Sequence, residues 1–429
     1  MLPTAWNLYN LQSSPFWQDS LAHENAARPL TLFVGRTAEL GELRTRILDA
    51  GARGSRQAVT GTPGVGKTTL VKALKGAMQA DGYLTVDDFV PVVGDDTTVS
   101  LLGRVLALVY ETILANRPAT YQNAAMQAAE LLVRSTRIAT GGGGLSISGV
   151  GASVTKGTAL STPKDLIYDG PRVLRDLMTL VRGSGALGLV LHLNNLENLT
   201  AGEAKQSATE FRDLRDVLFM HDGLHIVVVG TSDAIQDVIV AHESVRHIFS
   251  VLPITPLAIP QVQQLLAARY AHLTLDHARP IVPPVDDSAV RLLVELYHGD
   301  LRGVLQALDD GVRPNLVLGA TSTSFSAMGG AHHHVGMEAL RATLQPRYAM
   351  QLGTVLDTRR IAHLTTWATR DASDVHTQAS LSALWQIKQS AVSITLRKLT
   401  MQGYVIALPR QGNAAIEYVL SGTSRLIFD

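Results

Sequence analysis

The sequence Gly61-Thr62-Pro63-Gly64-Val65-Gly66-Lys67-Thr68 fits the phosphate-loop pattern GxxxxGK[ST] in full. Residues 57–60 just before it read as a short strand, and residues 69–74 just after it carry helical periodicity. The glycines let backbone N–H groups turn inward around phosphates, and the N-terminus of the following helix adds the positive end of its dipole. A strand, this loop and a helix in that order predict a binding site for a nucleoside triphosphate.

Two side chains of this Walker A loop have specific tasks. Lys67 is expected to reach the β- and γ-phosphates, and the Thr68 hydroxyl is expected to ligate Mg²⁺. We therefore expect ATP and Mg²⁺ as cofactors. The residues expected to hold them here are Gly61, Thr62, Pro63, Gly64, Val65, Gly66, Lys67, Thr68 and Thr69.

The composition excludes several classes of protein. The 429 residues include 37 basic and 37 acidic side chains, so no overall charge draws the chain to nucleic acid or to a membrane, and any such surface must be local. The absence of cysteine excludes disulfides, zinc–thiolate sites and thiol catalysis. The N-terminus lacks a charged region followed by an apolar one, and no apolar run reaches about 18 residues. We therefore expect a cytoplasmic protein with no signal peptide and no membrane span.

The order of apolar segments predicts an α/β fold followed by helical domains. Short apolar runs at 83–93, 187–193 and 225–229 alternate with amphipathic helices, as in a parallel sheet covered on both faces. We divide the chain into an N-terminal arm (1–30), a nucleotide-binding domain (31–255), a helical lid (256–310), a Gly/Ser/Thr-rich linker (311–335) and a C-terminal module (336–429). The arm either packs over the nucleotide-binding domain or is an ordered tail without a role.

A glycine-rich segment at 140–158 interrupts the nucleotide-binding domain. Its apolar residues alternate about Gly149, which suggests a β-hairpin flanked by glycines. Such a hairpin either protrudes to touch a neighbouring subunit or DNA, or is a mobile surface loop. The composition favours the loop.

Two further segments give the chain a family resemblance. Phe33-Val34-Gly35-Arg36-Thr37-Ala38-Glu39-Leu40 precedes the phosphate loop, and Gly299-Asp300-Leu301-Arg302 begins a helix in the predicted lid. This order of motifs resembles the AAA+ ATPases, and within them the branch of origin-recognition initiators and its bacterial STAND relatives. The resemblance covers roughly residues 30–310. It implies a P-loop AAA+ αβα sandwich with a helical lid.

The resemblance also implies roles for single residues. Val34 and Arg36 would line the adenine pocket, and Thr231, or its neighbour Ser232, would match the residue at a strand tip that senses the γ-phosphate. Arg302 would reach the γ-phosphate from the lid, a task that suits a guanidinium because it is always charged and forks onto phosphate. Without the resemblance, Thr231 marks a plain turn after a strand and Arg302 is a surface arginine of a helix.

A further arginine bears on assembly. Arg246, just before the lid, is placed like the arginine finger that acts on the nucleotide of a neighbouring subunit in this family. An arginine in a loop is also common on any protein surface. With the resemblance, we expect a homo-oligomer with ATP at the junction between subunits.

The catalytic positions depart from the family pattern. Where the family has an aspartate and then a glutamate after the third strand, this chain reads Asn194-Asn195-Leu196-Glu197. Asn194 replaces the carboxylate that organises Mg²⁺, and the amide of Asn195 cannot accept a proton as a general base. We therefore predict ATP binding with slow or absent hydrolysis, below about 1 turnover per second. In the competing interpretation, Asn194 holds Mg²⁺ through its carbonyl and Glu197 activates water.

The C-terminal module has the order of a winged helix, with three helices before two strands. The helical and strand segments are expected at 355–368, 381–385, 389–401, 403–408 and 415–420. The run from 390 to 405 resembles the recognition helix and the start of the wing in bacterial winged-helix DNA-binding domains, where the helix enters the major groove. Between 388 and 410 there are four basic residues and no acid, which gives the local positive charge that phosphate binding needs. The expected DNA-binding residues are Lys388, Gln389, Ser390, Ser393, Arg397, Lys398 and Arg410.

The sequence therefore predicts an ATP-binding AAA+ protein that uses nucleotide as an assembly and conformational switch for duplex DNA binding through its winged helix. The alternative is a STAND-type signalling or regulatory ATPase whose winged helix contacts protein. Salt-sensitive DNA binding would favour the first function, and ATP-dependent oligomers without DNA affinity would favour the second.

Overall fold

The structure is a computed structural model that describes residues 5–21, 27–139, 163–320, 334–371, 375–408 and 415–428. The glycine-rich segment 140–158, for which the sequence predicts a hairpin or a loop, lies outside these ranges. Arg410, a predicted DNA contact at the tip of the wing, also lies outside them.

A five-stranded parallel sheet forms the centre of the nucleotide-binding domain. Its strands are β1 (Arg56–Thr60), β2 (Val90–Pro91), β3 (Leu189–Asn194), β4 (Leu224–Gly230) and β5 (Ser250–Pro253). Their order across the sheet is β2-β3-β4-β1-β5, with β1 paired to β4 on one side and to β5 on the other. Because the strands are parallel, the residues that follow β1, β3 and β4 meet at one edge of the sheet.

Helices cover both faces of this sheet. They are α1 (Thr37–Ala50), α2 (Lys67–Ala80), α3 (Thr98–Asn116), α4 (Ala124–Ala139), α5 (Pro163–Gly183), α6 (Ala201–Leu214), α7 (Ser232–Ile235) and α8 (Glu243–Arg246). Buried side chains of α1 and α2 pack on one face, and those of α3 to α7 pack on the other. The predicted αβα sandwich is therefore confirmed. By length and composition α3 is apolar enough to cross a membrane, but more than half of its most apolar window is buried among these helices.

The predicted strand at 83–93 is much shorter in the structure. Only Val90–Pro91 forms a strand with β3, and Leu84 makes an isolated bridge to Leu189. The ammonium group of buried Lys75 donates hydrogen bonds to the carbonyl oxygens of Val86 and Asp88, at 2.9 and 2.6 Å. Because these carbonyl oxygens accept hydrogen bonds from Lys75, they do not take part in strand pairing.

The rest of the chain forms the lid and the winged helix. The lid consists of α9 (Ile259–His272), α10 (Asp287–Leu296) and α11 (Leu301–Ala320). The C-terminal module consists of α12 (Met337–Val355), α13 (Thr358–Asp371), β6 (His376–Thr377), α14 (Gln378–Trp385), α15 (Gln389–Met401), β7 (Val405–Ala407), β8 (Glu417–Leu420) and α16 (Gly422–Phe428). Its strands form an antiparallel sheet in the order β6-β8-β7. The three helices α13, α14 and α15 followed by β7 and β8 have the winged-helix order.

Two helix boundaries differ from the sequence prediction. Helix α11 runs ten residues into the segment predicted as a linker, because Val312 and Leu316 continue its buried apolar stripe. The helix predicted at 355–368 is instead divided at Leu356 and Asp357 into α12 and α13. A carboxyl oxygen of Asp357 accepts a hydrogen bond from the backbone N–H of Arg360 and so caps the start of α13.

The N-terminal arm packs on the lid. Tyr9, Leu11 and Phe16 are buried in a hydrophobic core that also includes the lid and the winged helix. The backbone N–H of Gln12 donates to the carbonyl oxygen of Leu273 at 2.9 Å. Arm, lid and winged helix therefore share one core, separate from the two cores on the faces of the parallel sheet.

Candidate nucleotide-binding site

A cavity of about 410 Å³ lies between the phosphate loop, the lid and the arm. This volume falls in the range of pockets that hold small-molecule ligands. The residues that line the cavity are 18–21 of the arm, 32–34 and Arg36, the loop 63–69, Glu197, Asn198 and Thr231, and Leu257, Leu265, Arg269, Leu301, Arg302 and Leu305 of the lid. Segments far apart in the sequence thus form one site.

Two cationic side chains meet at the phosphate-loop end of the cavity. Lys67 is only 7% exposed, and its ammonium group donates hydrogen bonds to the carbonyl oxygens of Gly61 and Thr62, at 3.0 Å each. Burial lowers the pKa of Lys67; the negative charge of Glu197 opposes this shift and the positive charge of Arg302 adds to it. Lys67 and Arg302 therefore create a site that favours an anion, with Glu197 as a nearby carboxylate.

The segment around Arg36 connects the phosphate loop to the lid. The buried guanidinium of Arg36 pairs with the carboxylate of Glu39 and donates to the carbonyl oxygen of Val65, both at 2.9 Å. The side-chain amide of Gln261, on α9, donates to the carbonyl oxygen of Gly35 at 3.0 Å. Val34 and Arg36, the two residues expected at the adenine pocket, both line the cavity. The guanidinium of Arg36, however, is hydrogen-bonded to the phosphate loop.

The end of β4 places Thr231, and not Ser232, at the cavity. Thr231 lines the cavity and caps α7, where its hydroxyl accepts a hydrogen bond from the backbone N–H of Ala234 at 3.3 Å. The hydroxyl of Ser232 instead accepts a hydrogen bond from the hydroxyl of Thr60 at 3.1 Å, beside β1. Of the two candidates for a γ-phosphate sensor, Thr231 lines the cavity and Ser232 does not.

The end of β3 presents one acid to the cavity. Asn194 is buried and Asn195 is half-buried, and neither lines the cavity. Asn195 has a φ of 74°, a left-handed conformation that asparagine tolerates better than most residues, and it begins a 3-10 turn over Leu196–Asn198. This turn brings Glu197 to the cavity. The only carboxylate on this turn that reaches the site therefore lies two residues beyond the family's expected general base.

Of the two residues expected to hold Mg²⁺, Thr68 lines the cavity and the buried Asn194 does not. The side-chain oxygen of Asn194 is buried and accepts no hydrogen bond from any residue that the structure describes. Thr68 lines the cavity at the start of α2. The side-chain oxygens of Asn194 and Thr68 are neutral ligands of a kind that Mg²⁺ accepts. Neither carries the negative charge that a protein site needs to hold a divalent cation without further ligands. Any Mg²⁺ here would depend on phosphate oxygens.

The lid adds a carboxylate that the sequence analysis did not assign. A side chain at Gly64 would place its Cβ 1.7 Å from a carboxyl oxygen of Asp300, so Asp300 lies directly against the phosphate loop. Gly64 also has a φ of 79°, which favours glycine. Burial raises the pKa of Asp300, while the backbone N–H groups of Gly303 and Arg302 stabilise its charged form. This carboxylate opposes the positive charge of Lys67 and Arg302 in this arrangement.

Arg269 is a second lining residue that the sequence analysis missed. Val262, Leu265 and Leu266 form the buried stripe of α9, and Arg269 falls on the same stripe one turn later. An arginine at a core position of an amphipathic helix is the signal that marks it in the sequence. By contrast, the predicted arginine finger, Arg246, is exposed on α8 and does not line this cavity.

The predicted DNA-binding face is exposed in the structure. Helix α15 buries Val392, Leu396 and Leu399, while Ile394 is 56% exposed. Residues 336–429 carry ten Lys or Arg and six Asp or Glu, so this module is positive in a chain with no net charge. The predicted DNA contacts that the structure describes are all exposed: Lys388, Gln389, Ser390, Ser393, Arg397 and Lys398.

These features define the class of protein. A parallel sheet in the order β2-β3-β4-β1-β5, a phosphate loop after β1 and a helical lid that brings Arg302 to that loop constitute an AAA+ P-loop fold, here with a C-terminal winged helix. The predicted αβα sandwich with a helical lid and a C-terminal winged helix is therefore confirmed.

Comparisons with known proteins give structural likenesses only. The chain is similar to the Aeropyrum pernix ORC2 protein (14% identity, 96% of this chain and 95% of that one, TM-score 0.47). It is also similar to the Aeropyrum pernix ORC1 protein in complex with DNA (14%, 94% and 95%, 0.43) and to Cdc6p from Pyrobaculum aerophilum (13%, 92% and 96%, 0.41). No protein-family model and no curated protein matches the sequence.

Proposed function

We propose that this protein binds ATP and that ATP acts as a conformational and assembly switch for duplex DNA binding through the winged helix. The observation that carries the proposal is that Lys67 of the phosphate loop and Arg302 of the lid line one cavity. A bound triphosphate would neutralise both cations. It would therefore hold the lid against the sheet domain, and the lid shares its core with the winged helix.

The proposed role of ATP is that of a ligand that is hydrolysed slowly or not at all. General-base catalysis needs a carboxylate or an equivalent base within reach of the attacking water. The chain has amides at Asn194 and Asn195, and its nearest carboxylate on that turn, Glu197, is exposed. A bound ATP would therefore persist long enough to act as an assembly signal, with Mg²⁺ held by Thr68, Asn194 and phosphate oxygens.

Duplex DNA is the proposed partner of the exposed face of α15. The basic residues Lys388, Arg397 and Lys398 supply phosphate contacts, and Gln389, Ser390 and Ser393 supply hydrogen-bonding groups for base edges. Arg246, exposed on α8, is proposed to act on the nucleotide of a neighbouring subunit. The proposed assembly on DNA is therefore a homo-oligomer.

One observation favours a second function, protein recognition by the winged helix. Ile394 and Met401 are 56% and 80% exposed on α15, beside the polar residues proposed to contact DNA. Exposed apolar side chains of this size are typical of protein interfaces. In this case the protein would be a signalling ATPase whose winged helix binds a protein partner.

Fluorescence anisotropy of labelled duplex DNA distinguishes these functions. The titration is done with no nucleotide, with ADP, and with ATP plus Mg²⁺, and is repeated with Lys67→Ala and Arg397→Ala. We expect tight binding only with ATP, lost in both variants and weakened by salt. An unchanged anisotropy under every condition, together with ATP-dependent oligomers in light scattering, would establish the second function instead.

A further inference from the structure

The end of the N-terminal arm runs along the lid into the cavity. Gln18, Asp19, Ser20 and Leu21 line the cavity, although they precede the phosphate loop by some forty residues. Leu21 is buried, and Gln18 forms a hydrogen bond with the side chain of Gln306, on α11. The arm is thus a structural part of the site and not only a covering of the lid.

Arg269 fixes this part of the arm. Its side chain is 5% exposed, and one terminal nitrogen donates to the carbonyl oxygens of Pro15 and Trp17, both at 2.9 Å. The guanidinium carbon lies 4.2 Å from the centre of the Trp17 ring, within the range of a cation–π contact. A buried guanidinium is costly unless its donors are satisfied. Here those donors are directed to the arm.

Further contacts attach the same stretch to the lid. The hydroxyl of Ser14 donates to the carboxylate of Asp309 at 2.7 Å, and the ring of Phe16 lies edge-on to that of Tyr270, with their centres 6.5 Å apart. Asp19 pairs with Arg28. The arm would therefore move with the lid when the lid moves.

The cavity has both polar and aliphatic lining residues. Lys67, Thr68 and Arg302 provide charge and hydrogen-bond donors for phosphates. The aliphatic lining comes from the arm, the segment before α1, the phosphate loop and the lid: Leu21, Leu32, Val34, Val65, Leu257, Leu265, Leu301 and Leu305. A nucleoside triphosphate has the same division, with a flat apolar base joined to charged phosphates.

We propose that residues 18–21 of the arm form the wall of the pocket that holds the nucleobase, and that Arg269 is the positioning residue that keeps this wall in place. This inference rests on the proposed binding of ATP. It adds that the base end of the site is assembled only when the arm is seated on α9. A bound nucleotide would therefore contact the arm, the lid and the phosphate loop at the same time.

The test compares two ligands that share the phosphates and differ in the base. ATP and inorganic tripolyphosphate are titrated calorimetrically into the full chain, its Leu21→Ala variant and its Arg269→Lys variant. Lysine keeps the positive charge but loses the planar group that bonds two carbonyls and stacks on Trp17. Ser13→Ala, at an exposed residue of the same arm that does not line the cavity, is the matched control.

We expect Leu21→Ala and Arg269→Lys to weaken ATP binding about tenfold, as the loss of part of a buried apolar wall does. Tripolyphosphate should bind all variants equally, and Ser13→Ala should match the wild type for both ligands. Equal losses for ATP and tripolyphosphate would mean that the substitutions disturb the lid as a whole, and would overturn the inference. Unchanged ATP affinity in both variants would overturn it as well. Failure of the proposed function is separately visible, because the wild-type chain itself would then not bind ATP.

Discussion

The ring of Tyr297 packs against Gly422 where the lid contacts the winged helix, and this contact predicts that a larger residue at 422 destabilises the chain. A Cβ at this residue would lie 2.3 to 2.6 Å from three ring atoms of Tyr297, well inside van der Waals contact. The ring cannot move aside, because Gly303 packs on it so closely that a Cβ there would lie 2.4 Å from it. The Tyr297 hydroxyl is also held, at 3.2 Å from that of Thr423. Overpacking of this kind costs roughly 1–3 kcal/mol, so we expect Gly422→Ala to destabilise the chain by that amount.

The measurement is urea unfolding with a matched control. Gly353 is an exposed glycine inside α12 with no atom near its would-be Cβ, so Gly353→Ala should instead stabilise the chain by up to about 1 kcal/mol through helix propensity. The two glycine-to-alanine changes should therefore have opposite signs. Adding Tyr297→Leu to Gly422→Ala should recover part of the loss, as a double-mutant cycle would show. A Gly422→Ala chain as stable as the wild type would refute the reasoning.

This contact bears on function because Tyr297 lies just before the lid residues that reach the phosphate loop. A buried polar network continues from the lid into α12: the hydroxyl of Tyr348 donates to the carboxylate of Asp310 at 3.1 Å, and Arg347 pairs with Asp310 at 2.8 Å. Burial raises the pKa of Tyr348, so this hydroxyl stays protonated as a donor. Arg425 of α16 donates to the carbonyl oxygen of Glu295 at 3.1 Å. Lid and winged helix are thus built to move together, and Gly422→Ala should also reduce the ATP dependence of DNA binding.

Four further predictions concern the proposed nucleotide-binding and DNA-binding sites. Lys67→Ala should abolish measurable ATP binding in calorimetry, because it removes the buried cation that faces the phosphates; retained affinity would place the nucleotide elsewhere. Asp300→Asn keeps the cap of α11 but removes a negative charge beside the loop, so ATP affinity should rise severalfold in the same titration, and a fall would contradict this electrostatic role. The double change Asn194→Asp with Asn195→Glu should raise ATP turnover by about a hundredfold in a phosphate-release assay, the lower range of general-base catalysis. A wild-type rate above about 1 per second would show that the asparagines do not limit hydrolysis. Arg397→Ala should weaken binding to all duplexes alike and reduce the slope of log affinity against log salt by about 1, measured by anisotropy; an unchanged slope would exclude a phosphate contact.

The local parts of the site were readable from the sequence. The phosphate loop, the strand before it and the helix after it were predicted at the positions where β1 and α2 are found, and α15 has the predicted limits Gln389–Met401. Such elements depend on residues a few positions apart, so a linear pattern contains them.

What the sequence by itself determined is the chemistry of single loops: a Walker A loop with Lys67 and Thr68, and amides where the family has acids. Only the tertiary structure decided which side chains meet at that loop. Asp300 lies against Gly64, and Arg269 holds the arm beside the cavity, across separations of more than two hundred residues. No periodicity or spacing encodes such contacts, because they arise when the lid closes its apolar core with the arm and the winged helix. The reactive groups of the site therefore come from short sequence motifs, and the contacts between them come from the packing of distant segments.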